Sequence, residues 1–83
     1  MVLKRSVNVI VQTMDNEMLI FNEIVKKQCE LDETALEIWN YLDSQKHINE
    51  IIGHLEGKYS NGEEGINTIY KLKEAGILTE VAF

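Results

Sequence analysis

Residues 31–43 read L-D-E-T-A-L-E-I-W-N-Y-L-D. Ala35, Ile38, Trp39 and Leu42 recur at i, i+3, i+4 and i+7, one face of a helix, while Glu33, Glu37, Asn40 and Asp43 fall elsewhere. Asp32 stands where an N-cap belongs, and Glu33 in the first turn complements the helix dipole. The spacing therefore predicts a helix over residues 32–43, and Leu31 ends whatever precedes it.

Upstream the pattern changes from helical to alternating. Val7, Val9 and Val11 alternate with Asn8, Ile10 and Gln12, which predicts a half-buried strand over residues 5–13. After the polar turn around residues 14–17, Met18-Leu19-Ile20-Phe21 predicts a second strand over 17–22. A third strand over 27–31 puts Lys27, Cys29 and Leu31 on one face and Gln28 and Glu30 on the other.

Downstream the helical period returns. Ile48, Ile51, Ile52, Leu55 and Tyr59 predict a helix over 47–58. His47 is a weak residue for its N-cap, and Glu50 sits at the capping-box position without a Ser or Thr partner. Residues 57–65 hold glycines, Ser60 and Asn61 and read as a break. A third helix over 63–75 points Ile66, Ile69 and Leu72 to the core, with Tyr70 and Lys73 on its flank. Gly76 is placed to stop it, and residues 77–81 read as an extended segment. Three strands followed by three helices give one domain, residues 1–83, of α+β class: a three-stranded antiparallel sheet packed on a winged helix-turn-helix-like three-helix bundle.

With 45% hydrophobic and 27% charged residues, the 83-residue chain supports one modest core of marginal stability. The formal net charge of −6 opposes binding to a phosphate backbone, and the basic residues are scattered, with Arg5 the single arginine. Cys29 alone forms no internal disulfide, and neither a signal peptide nor a membrane span is visible, so the expected location is the cytoplasm.

Candidate catalytic groups are few. His47 and His54 lack the clustered ligands of a metal site and are expected at the solvent-exposed surface. Cys29 lacks an adjacent base and reads as a packed side chain. The carboxylates at 30–33 and 63–64 coincide with helix starts, where they stabilise without a catalytic role. Trp39 belongs to the apolar stripe of its helix. No catalytic residue, cofactor or metal is therefore assigned, and the chain reads as not an enzyme. The strand at 27–31 has two readings: Lys26 and Lys27 blunt an edge against aggregation, or the edge accepts an extended peptide.

The stretch L-D-E-T-A-L-E-I-W, followed by H-I-N-E-I-I-G-H-L-E-G-K-Y and K-L-K-E-A-G-I-L, resembles the PqqD-like family. These small domains, also called RiPP recognition elements, serve ribosomal peptide natural-product biosynthesis. The resemblance runs from about residue 19 to 81. Two departures stand out: His47 replaces a Ser or Thr, and the interval from Tyr59 to Gly76 is about one helical turn short. The resemblance implies that the leader of a precursor peptide adds as a strand to the third strand and packs on the third helix. The domain then presents it to a modifying enzyme, often a radical SAM enzyme, or a cyclodehydratase, protease or dehydratase. Carried onto this chain, the peptide-binding residues would be Lys26, Lys27, Gln28, Cys29, Glu30 and Leu31 on the edge, with Ile66, Ile69, Tyr70 and Lys73 on the helix. The rival expectation is a winged-helix transcription regulator, for which Asn67, Lys71 and Lys73 offer little base readout. The expected partners are thus a leader peptide and an enzyme, with neither nucleic acid nor membrane.

Overall fold

The computed structural model describes residues 1–58 and 62–82. Its elements run β1 (Val2–Arg5), β2 (Val9–Met14), β3 (Glu17–Asn22), β4 (Lys27–Leu31), α1 (Glu33–Tyr41), β5 (Lys46–His47), α2 (Ile48–Lys58), α3 (Gly62–Glu74) and β6 (Leu78–Glu80). The class is α+β as expected. In place of one strand over 5–13, however, the chain makes two, which belong to different sheets.

The larger sheet is the antiparallel meander β2-β3-β4. Its register places Val11 opposite Ile20, and Ile20 opposite Cys29. The smaller sheet has order β5-β1-β6 and is also antiparallel. The division falls at Ser6–Asn8 because side chains there bond across the fold rather than along a strand. The Ser6 and Thr79 hydroxyls lie 2.7 Å apart, and Arg5 donates from Nε to the Trp39 carbonyl at 2.8 Å with its guanidinium 4.7 Å from the indole centroid. Val7 is left 81% exposed, so the Val7-Val9-Val11 alternation spans a corner and not a continuous face.

The core lies between the sheets and the helices. Leu3, Ile20, Leu31, Ile38, Leu42, Ile51, Leu55, Ile69, Leu72, Ile77 and Leu78 are buried in it, with Trp39 at its margin. Asp32 caps α1 as its position predicts, its Oδ1 accepting the Ala35 N–H at 2.8 Å. His47 caps α2 in its own way, its Nδ1 accepting the Asn49 N–H at 3.1 Å. The expected break at 57–65 is narrower than its composition implies, since Gly57 ends up in α2 and Gly65 in α3. Gly65 is a packing residue: a Cβ there would sit 2.7 Å from the Leu55 Cδ1, so its absence lets the two helices close up. Tyr59, expected to extend the apolar row of α2, lies outside the described residues.

The seam between α1 and α2 is polar. His54 stacks on Tyr41 with centroids 4.0 Å apart, and its Nε2 lies 2.8 Å from the Glu37 Oε1. Lys58 donates to the other oxygen of Glu37 at 3.1 Å. The expected exposed pair of histidines is thus not a pair, since His54 is half-buried and tied across the seam. Hydrogen bonds from His54 and then Lys58 hold the Glu37 carboxyl below its usual range.

Candidate functional site: the edge of β4 beside α3

β4 is an outer strand of the meander, hydrogen-bonded to β3 on one side only. In an antiparallel pair alternate residues turn both N–H and C=O away from the partner, so such an edge offers a ladder of free donors and acceptors. Among the described residues, no backbone hydrogen bond from outside the sheet reaches Lys27–Leu31. The K-Q-C-E-L alternation fixes the rotation of the strand: Cys29 and Leu31 are buried, whereas Gln28 and Glu30 are exposed.

Both ends of the strand are held. At its C-terminal end Leu31 runs directly into the Asp32 cap of α1. At its N-terminal end the turn from β3 is organised by the buried Asn22. The Asn22 Oδ1 accepts the N–H groups of Ile24 at 2.8 Å and Val25 at 3.0 Å, and its Nδ2 donates to the Gly76 carbonyl at 2.6 Å. The Lys26 N–H closes the turn onto the Asn22 carbonyl at 2.9 Å, with Lys26 at φ 60°. Gly76 ends α3 in a Schellman arrangement: its N–H reaches the Lys73 carbonyl at 3.1 Å, and the Ile77 N–H reaches that of Leu72 at 2.9 Å. Its φ of +78° suits glycine. One amide thus joins the entry of β4 to the end of α3.

Lys71 of α3 meets Gln28, Cys29, Glu30 and Asp32 around a recess beside the strand. A second recess, lined by Glu63, Glu64, Asn67, Thr68 and Lys71, continues along the helix. Lys71, Lys26 and Lys27 make no ion pair among the described residues, whereas Lys46, Lys58 and Lys73 do. Burial pushes the Cys29 thiol above its usual pKa; nearby Lys71 opposes that effect, and Asp32 and Glu30 add to it. The thiol therefore stays protonated and is a poor nucleophile. No group of three or more His, Cys, Asp or Glu that could hold a metal occurs among the described residues, and no helix there is long and apolar enough to cross a membrane.

The structure brings Lys26 to Leu31 together along one edge but divides the four α3 residues paired with them in the sequence reading. Ile69 is fully buried, Ile66 is half-buried, and Tyr70 is 49% exposed. Lys73 donates to Glu80 of β6 at 3.0 Å and lines a different recess with Lys4, Ser6 and Val7. Residue 71 lies about 200° around the helix from residue 73, on the flank beside β4. The buried stripe Gly65, Ile69 and Leu72 marks the core face, yet either flank of that stripe fits the sequence. The packing of α3 places Lys71 in the recess beside the strand, a position the sequence pattern does not indicate.

These features define an α+β class of small domain in which a meander edge runs beside the last helix of a three-helix bundle. Residues 17–78 match the family described as Coenzyme PQQ synthesis protein D (PqqD), and the chain belongs to that family. Among solved structures, "TbiB1 in Complex with the TbiA(beta) Leader Peptide" is similar in fold, with a TM-score of 0.72 at 21% identity over 96% of this chain and 99% of that one. No curated protein matches.

Proposed function

We propose that this chain is a non-catalytic adaptor that binds the leader of a ribosomally synthesised precursor peptide and presents it to a modifying enzyme. The observation that carries the reading is the unpaired edge of β4, rigidly held at both ends beside α3, in a chain of the PqqD family. The leader adds as a fourth strand to the meander. Backbone bonds give it sequence-tolerant affinity, and side chains entering the recesses beside α3 give selectivity. That TbiB1 was solved with a leader peptide supports the choice of ligand. Lys71, set among Glu30, Asp32, Glu63 and Glu64, is the cation of the recesses and takes an acidic side chain of the leader there. Ile69 contributes to the packing beneath α3, while Ile66, Tyr70 and Lys73 lie toward its other flank. The modifying enzyme is one of the kinds that the family resemblance implies, a radical SAM enzyme or else a cyclodehydratase, protease or dehydratase, and the complex works in the cytoplasm.

The test is calorimetry with the leader peptide encoded beside this gene. Binding is expected for the wild-type chain and at least about tenfold weaker binding for Lys71→Glu, the scale of a charge placed against its complement. Absence of heat with the domain folded refutes the reading. Tight retention of DNA in a low-salt gel shift would instead revive the transcription-regulator alternative.

A further inference from the structure

The meander has a second face that the bundle does not cover. Ile20, Asn22, Cys29 and Leu31 are buried on the inner side, so the register places Ile10, Met14, Leu19 and Phe21 together on the outer side. Ile10 is 52% and Met14 53% exposed, while Leu19 and Phe21 are half-buried by their neighbours in the sheet. Glu17 lies opposite Met14, and Glu30 lies opposite Leu19. The remaining outer-face positions on these strands are Gln12 and Gln28, so the face carries two carboxylates and no lysine or arginine. A solvated sheet face ordinarily alternates to polar residues. Here the centre stays apolar and the border acidic, the anatomy of a docking surface.

We infer that this outer face is the docking surface for the modifying enzyme, through a patch on that enzyme with an apolar centre and a Lys/Arg rim. The inference rests on the adaptor reading above. Charge decides the occupant. A second copy of this chain would bring Glu17 and Glu30 against the same two carboxylates, between molecules of formal net charge −6. A basic-rimmed partner meets that border with attraction. Position agrees with function: Glu30 belongs both to this face and to β4, so an enzyme seated on the face lies next to a leader paired with the strand.

The test uses the purified maturation enzyme encoded beside this gene, titrated by fluorescence anisotropy against the labelled full chain, with leader calorimetry run in parallel. Ile10→Lys combined with Met14→Lys, both away from β4, is expected to weaken enzyme binding by at least about tenfold, as expected for lost central contacts. Leader affinity stays within about twofold of wild type. Glu17→Lys is expected to weaken enzyme binding and to reduce its sensitivity to salt, and circular dichroism confirms that each variant is folded. Wild-type affinity for the enzyme in these folded variants overturns the inference and leaves the adaptor reading intact. So does tighter binding by Glu17→Lys, or a wild-type dimer that the double variant dissociates in sedimentation. A wild-type chain that binds no leader overturns the adaptor reading itself, and this inference with it.

Discussion

Replacing Asn22 tests whether one side chain couples the entry of β4 to the end of α3. Asn22→Ala removes the acceptor for the Ile24 and Val25 N–H groups and the donor to the Gly76 carbonyl. Ile24 is 69% and Val25 50% exposed, so their N–H groups can turn to water and the loss there is about 1 kcal/mol. The Gly76 carbonyl sits against the side chain that satisfied it, and leaving it unpaired costs about 1–3 kcal/mol. The sum, about 2–4 kcal/mol, is a large share of the roughly 4–12 kcal/mol that the per-residue range gives a chain of this length. In urea, at about 1 kcal/mol per M for so small a domain, the midpoint falls by some 2–4 M. Asn22→Asp separates the two roles. It keeps an acceptor for the turn but sets a carboxylate against the carbonyl 2.6 Å from Nδ2, so it should be at least as damaging as alanine. Hydrogen exchange then reports where the loss falls, and amides from Val25 to Cys29 should exchange faster in both variants. A midpoint shift below about 0.5 M, or an aspartate variant as stable as wild type, refutes the coupling.

Two further outcomes follow from the same structure. Gly76→Ala forces a left-handed φ on alanine, at about 1–2 kcal/mol, and drives its Cβ to 2.6 Å from the Asn22 Nδ2. Chemical denaturation should show a loss of at least about 2 kcal/mol, and the loss should shrink in an Asn22→Ala background where the obstructing amide is gone. Glu37 is held below its ordinary value of 4.5, chiefly by His54 and then Lys58, so its contribution to stability is present above that value. The unfolded chain takes up the proton first, and the contribution is lost as pH falls through the lower, folded value. Denaturation midpoints measured from neutral pH downward should therefore decline more gently in Glu37→Gln, which starts from a lower plateau.

The helices were legible because their signals are local. Asp32, the Ala35-Ile38-Trp39-Leu42 row and the glycine at 76 each act within a few residues, and α1, α2 and α3 lie within two residues of their expected bounds. β4 was legible as a strand for the same reason, since the alternation of Lys27 to Leu31 carries its own phase. What failed to show was long-range. β1 leaves the run toward β2 because Arg5 meets Trp39 and Ser6 meets Thr79, partners that no window around Val7 contains. His54 looked exposed because its partners, Glu37 and Tyr41, are on another helix. Helical period identifies the buried stripe of α3 without saying which flank turns toward the meander, so the place of Lys71 beside β4 is not legible in it.

The fastening of β4 at both ends has a kinetic side. Asn22 and Lys26 hold one end, and the Asp32 cap holds the other, so a leader paired with β4 as proposed would meet a strand already held in place. The entropy of ordering then falls on the incoming peptide rather than on the receptor. Encounter does not wait for the domain to rearrange, so leaders of different sequence should associate at similar rates and be told apart by how long they stay. On the proposed reading, residence time, set by the few leader side chains that fit beside Lys71, is the quantity that gives an enzyme on the complex time to act.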